Sequence, residues 1–186
     1  MSSFVNYRKR SFTLPTGCKD LIDVLQTSKR GVRGDASSIG LRPAGQHERF
    51  PKAGLAEIDR LVSKLLDSDA ERFFLAIRSN DNEDNEILFF LYGSKSERTI
   101  AIGLLITDAE REQIIRGFFE QHGIKCLNDS SFAGGGGSGV TRGLVYALPR
   151  DTAKASKLTI DLLRCGFDVK DESGLCFHYY ELASTA

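Results

Sequence analysis

The chain has 186 residues, 41% of them apolar, with 25 basic and 25 acidic side chains. That is long enough for one domain with a real core plus an extra segment, too apolar for disorder, and without an apolar run that could span a membrane as a helix. The charge is unevenly placed: residues 1–52 hold ten Lys or Arg against four acids, a net of +6, and the remainder holds 15 against 21, a net of −6.

No secretory signal is expected at "MSSFVNYRKRSF", whose basic residues follow the first apolar ones with no hydrophobic stretch behind them. A short strand is predicted over residues 10–14. Thr16 then caps a helix in which Cys18, Leu21, Ile22 and Leu25 fall at i, i+3, i+4 and i+7, one apolar face, ending near Lys29. Residues 29–52, "KRGVRGDASSIGLRPAGQHERFPK", have four Gly, two Pro and no periodicity, and read as a linker or arm. The predicted division is a basic N-terminal segment, 1–50, and an α+β domain, 51–186.

Beyond that boundary Leu55, Ile58, Leu61, Val62, Leu65 and Leu66 form a helical stripe. Three strand-like runs follow, "RFFLAIR", "EILFFLYG" and "RTIAIGLLIT", with charged turn sequences between them, the carboxylates Asp81, Glu83 and Asp84 included. In the third run the bulky Ile100, Ile102, Leu104 and Ile106 alternate with Thr99, Ala101, Gly103 and Leu105, so close packing is expected on the smaller face. Thr107 and Glu110 read as the capping box of a helix that buries Ile114, Ile115, Phe118 and Phe119 and stops at Gly123. Strands "IKCL" and "VTRGLVYALP" come next. A helix then places Ala155, Leu158, Leu162 and Cys165 on one side and closes at Gly166, and a last strand, "LCFHYYEL", follows. Three consecutive strands can pair as a meander, so the predicted fold is α+β, an antiparallel sheet with helices packed on it, ordered α-βββ-α-ββ-α-β after the N-terminal strand and helix.

The last helix and its surroundings, "YALPRDTAKASKLTIDLLRCGFDV", together with the element order over 51–182, resemble the type III secretion chaperone-like fold shared with YbjN-type bacterial proteins. The resemblance implies a non-enzymatic domain that dimerises and binds an extended segment of another protein.

Candidate chemistry is sparse. Gly134, Gly136 and Gly139 formally satisfy G-x-G-x-x-G, but that fingerprint needs a helix after its third glycine, and residues 140–148 alternate like a strand. No Gly-Lys-Ser/Thr closes a P-loop either. What remains is a hairpin connection whose bare amides could form an anion nest with Arg142. His122, Cys126, Cys176 and His178 could make a zinc site only if their strands were neighbours, and the spacing fits no established pattern. Cys176 and His178, as i and i+2 on one strand, point in parallel and not at each other. No catalytic residue, metal or cofactor is expected. Four scattered cysteines suit reduced thiols, and the chain reads as cytoplasmic.

The residual feature is apolar excess. The three central strands carry apolar residues on both faces, more than helices on one side would cover. The leading expectation is therefore a protein-binding or chaperone-like regulatory module without catalysis, its partner a protein and a second copy included, with Phe90, Tyr92, Ala101, Gly103 and Leu105 on the binding face. Neither nucleic acid nor membrane is expected as a partner. The alternative is a regulator that binds a nucleotide or phosphate through the Gly-rich loop, Arg142 and the basic Arg30, Arg33 and Arg42.

Overall fold

The computed structural model describes residues 47–70, 72–79, 87–93, 99–133 and 140–182. The predicted strand over 10–14, the helix capped by Thr16, the Gly134 to Gly139 tract and the Asp81, Glu83, Asp84 turn lie outside the described residues.

Seven strands form one sheet: β1 (His47–Ala53), β2 (Arg72–Ser79), β3 (Ile87–Gly93), β4 (Thr99–Ile106), β5 (Cys126–Ala133), β6 (Val140–Pro149) and β7 (Leu175–Leu182), in the spatial order β1-β7-β2-β3-β4-β6-β5. Every neighbouring pair is antiparallel. Three helices, α1 (Ile58–Asp67), α2 (Ala109–Gln121) and α3 (Thr152–Phe167), pack on one face of it. The fold is α+β, and after β1 its elements run in the predicted order.

The core between helices and sheet follows from period. Ile58, Leu61, Val62 and Leu65 of α1 recur at helical spacing, while Phe73, Leu75 and Ile77 of β2, Ile100, Ile102 and Leu104 of β4 and Leu175, Phe177 and Tyr179 of β7 recur every second residue. Phe119 of α2 stacks on Tyr146 of β6, ring centroids 3.7 Å apart. Gly166 lets α3 approach α2 closely, since a Cβ there would stand 3.2 Å from Ile115 Cγ1.

Several local expectations are corrected. Residues 47–52, read as the end of a linker, form most of β1, an edge strand paired with β7, so the division at residue 50 falls inside a strand of the sheet. The N-cap of α2 is Asp108, not Thr107: its carboxylate accepts the Glu110 amide at 2.9 Å. Ile114 is exposed, because Ile115, Phe118 and Phe119 already take the buried face. On α3 the buried stripe runs through Ala155, Ser156, Thr159, Leu162 and Leu163, which leaves Leu158 half-buried and Cys165 exposed. That helix passes through Gly166 to Phe167 and is closed by Asp168 in the left-handed region, φ 51°, where the Val169 amide donates to the Leu163 carbonyl at 3.0 Å. Strand β5 is longer than "IKCL" and runs to Ala133. Among the described residues no helix is long and apolar enough to cross a membrane.

Candidate functional site

All three described helices lie on one side of the sheet, so the opposite side is where the two-faced strands become informative. Phe74, Ala76, Phe90, Tyr92, Ala101 and Val145 form a second apolar cluster, separate from the core, with Leu105, Leu127 and Tyr180 packed against it. Register explains the grouping. Tyr180, Phe74, Tyr92, Ala101 and Ala147 are successive partners across β7, β2, β3, β4 and β6, and His178, Ala76, Phe90, Gly103 and Val145 make the next such row. Because side chains in register share a face, each row presents its members to the same side.

The resulting surface has a definite relief. Ala101, Gly103, Gly143 and Ala147 give β4 and β6 a low floor, and Phe74, Phe90 and Tyr92 rise beside it from β2 and β3. Phe74 and Tyr180 stack at 4.5 Å between centroids, and Tyr180 Oη lies 3.4 Å from His178 Nδ1. The five residues expected on a binding face are thus brought together: Phe90 is opposite Gly103, Tyr92 is opposite Ala101, and Leu105 is half-buried at the end of the same strand. Phe90 is only 3% exposed, Tyr92 5% and Ala101 4%. Phe74, Val145, Leu127 and Tyr180 also belong to the face but were not singled out from sequence, although the alternation in β2 and β6 carried the signal.

Arg142 lies on the helix side, not in an open anion nest. Its Nε is 3.3 Å from Glu112 Oε1, its Nη1 is 3.7 Å from Asp129 Oδ1, and it donates to Ser131 Oγ. Arg116 donates to Glu112 and to Asp129 at 2.7 Å each, completing a four-residue network that ties α2 to β5 and β6. Burial disfavours the charged form of Arg116, but the bonds to Glu112 and Asp129 outweigh it and raise its pKa above the ordinary arginine value. An anion at Arg142 would compete with two carboxylates already there. Strands β5 and β6 do pair as a hairpin around the glycine tract, Ala133 opposite Val140. Gly134, Gly136 and Gly139 themselves are outside the described residues.

The four metal-ligand candidates are not brought together. Strand β7 is five strand spacings from β5, roughly 24 Å, so Cys176 and His178 cannot meet Cys126. His122 Nδ1 sits 2.8 Å from the Phe118 carbonyl, and Cys126 donates to the Asn128 carbonyl at 3.0 Å. A second polar group binds the edge strand to α1: Lys64 pairs with Glu48 and lies 4.7 Å from the Tyr179 ring centroid, while Tyr179 Oη and Ser68 Oγ both donate to Glu181 Oε1, at 2.6 and 2.9 Å. These contacts are between side chains of neighbouring elements and serve to hold them.

Comparison of the chain with protein-family models, curated proteins and solved structures finds no match.

Proposed function

We propose that this chain is a non-catalytic protein-binding module, chaperone-like or regulatory, whose sheet face opposite the three described helices receives an apolar segment of a protein partner, a second copy included. The observation that carries the reading is the second apolar cluster on the side opposite all three helices, with a glycine and alanine floor beside an aromatic wall. A floor without bulky side chains admits close approach of another backbone, and apolar burial supplies the affinity without directional chemistry. The resemblance to the type III secretion chaperone-like fold, which rests on element order, points the same way. Cytoplasmic thiols suit the free Cys126, Cys165 and Cys176.

The test uses the full chain with a photoreactive residue in place of Leu105, irradiated in lysate. An adduct with one protein or with a second copy, lost when Ala101→Arg is added, is the expected result. Adducts confined to the chain itself, with a strict monomer in sedimentation, would remove the reading. Against the phosphate-regulator alternative, a thermal-shift panel of nucleotides and inorganic phosphate should give no response, whereas a ligand at 100 times its Kd would add about 2.7 kcal/mol.

A further inference from the structure

The two ends of the sheet are guarded differently. Strand β1, at one end, contains Pro51 and the charged Glu48, Arg49 and Lys52, and its register shifts between Phe50 and Ala53, all of which deter a further strand from pairing along it. Strand β5, at the other end, runs for eight residues with no proline and no lysine. Its one charged residue, Asp129, is neutralised within the chain: Oδ2 accepts from Arg116 at 2.7 Å, and Arg142 Nη1 stands 3.7 Å from Oδ1. Among the described residues no strand lies beyond β5, and Cys126, Asp129 and Ser131 are exposed there.

Local geometry sets the usable part of this edge. The register is irregular between Cys126 and Asn128, where the Cys126 thiol donates to the Asn128 carbonyl at 3.0 Å, and it is regular from Asn128 to Ala133. Consecutive side chains alternate between the faces, so Asp129 and Ser131 share the helix side, where both meet Arg142. Ser130 Oγ spends its hydrogen on the Gly143 carbonyl, at 3.2 Å. Ser131 Oγ accepts from Arg142 Nη1, which leaves its own hydrogen to give, and Asp129 Oδ1, beyond bonding distance of Arg142, is an oxygen able to take one. Donor and acceptor thus lie two residues apart on one strand, an arrangement that an antiparallel copy of the same strand satisfies twice.

We infer that a second copy of this chain adds to the sheet by pairing its own β5 with this one, antiparallel, about a two-fold axis at Ser130. An axis normal to the sheet keeps both helix layers on one side, and because opposed residues then share a face, it passes through a residue and not between two. An axis through Asp129 would set two carboxylates face to face, and one through Ser131 would put Asp129 opposite the partner's Ala133, which has no donor to offer. With the axis at Ser130, Asp129 accepts from the partner's Ser131 and Ser131 donates to the partner's Asp129. Strand addition of this kind doubles the seven-stranded sheet and satisfies the outer amides and carbonyls of 128–132.

The experiment is sedimentation equilibrium of the full chain over a concentration series, joined to cross-linking. The unsubstituted chain should show a monomer and dimer in exchange, and Ser130→Lys, which sets like charges opposite each other at the axis, should raise the dissociation constant about ten-fold or more. Cross-linking reads the register without relying on that variant's fold. In a chain carrying Cys126→Ser and Cys165→Ser, Ser130→Cys should oxidise to a 130–130 disulfide between copies, identified by mass spectrometry, since opposed residues of antiparallel strands lie within disulfide reach. Ser131→Cys in the same background faces the partner's Asp129 and should not link to itself. A chain that stays monomeric throughout would overturn the inference, as would a dimer without the 130–130 link, or equal linking at 130 and 131. The edge and the apolar face are separate surfaces, so the pairing does not rest on the protein-binding reading. A 130–130 link with no partner adduct at position 105 keeps the pairing and removes that reading, and an adduct at 105 on a strict monomer does the reverse.

Discussion

Phe74 of β2 and Tyr180 of β7 are register partners whose rings stack at 4.5 Å with an interplanar angle of 23°, on the side of the sheet that carries no described helix. The pair joins the aromatic wall of the second cluster to the strand that the chain adds last. Truncation of a buried Phe costs about 3–5 kcal/mol, so Phe74→Ala should lower unfolding free energy by about 3 kcal/mol in urea. A double-mutant cycle with Tyr180→Ala should return a coupling of about 0.5–1.5 kcal/mol, the range for stacked aromatic pairs. Full additivity would mean that the rings do not interact.

The network of Glu112, Arg116, Asp129 and Arg142 gives a salt-sensitive prediction. Glu112 accepts from both arginines, and its side chain is the least exposed of the four at 18%. Glu112→Gln keeps the shape and removes the charge. Partly exposed pairs are weakened by solvent, so the loss should be about 1 kcal/mol at low salt and should shrink in roughly 1 M salt. Urea melts at the two ionic strengths check it.

Two tyrosines set the alkaline limit of stability. Burial raises the pKa of Tyr146, helped by the neighbouring Cys126, and burial raises that of Tyr179, helped by its bond to Glu181. A phenol whose folded pKa is raised favours the fold while the unfolded phenol keeps its proton, and the contribution is lost as pH climbs above the unfolded value of about 10. Stability should therefore fall beyond pH ~10. Phenolate absorbance from these two residues should appear together with unfolding, not before it.

Ser156 lies on the buried stripe of α3, and its hydroxyl finds no hydrogen-bond partner among the described residues. Thr159, one turn later, donates to the Ala155 carbonyl at 2.8 Å. Removing an unpaired buried hydroxyl relieves its desolvation, and Ala is the better helix former, so Ser156→Ala should raise stability by about 1 kcal/mol. Thr159→Val, which deletes a made bond, should not. Thermal melts of the two variants separate the cases.

Much of this architecture was legible from period alone. Strands β2, β3 and β4 and the helix stripes declared themselves because burial forces spacing of two or near 3.6, and the small side of β4, Ala101 and Gly103, announced a face that something approaches. Strand β1 was hidden by Pro51, which removes a backbone donor and is tolerated there because the strand is at an edge and its register shifts between Phe50 and Ala53. The polar stretch Asn128, Asp129, Ser130 and Ser131 disguised β5 for a related reason, since an edge strand need not alternate. The placement of Arg142 between Glu112 and Asp129 could not be read in advance: the contact joins residues 30 and 13 apart through tertiary structure, and no local pattern encodes it. The misplaced caps reflect rivalry between adjacent candidates, Thr107 against Asp108, which backbone geometry decides.

The order β1-β7-β2 has a consequence for biosynthesis. Among the described strands the first is held to the rest of the sheet through the last, so a nascent chain can assemble β2 to β4 while β1 still lacks its partner β7. Until residues 175–182 leave the ribosome, both the outer rim of β2 and the whole of β1 present unsatisfied amides and carbonyls, which is the period in which this polypeptide most needs shielding from its own kind.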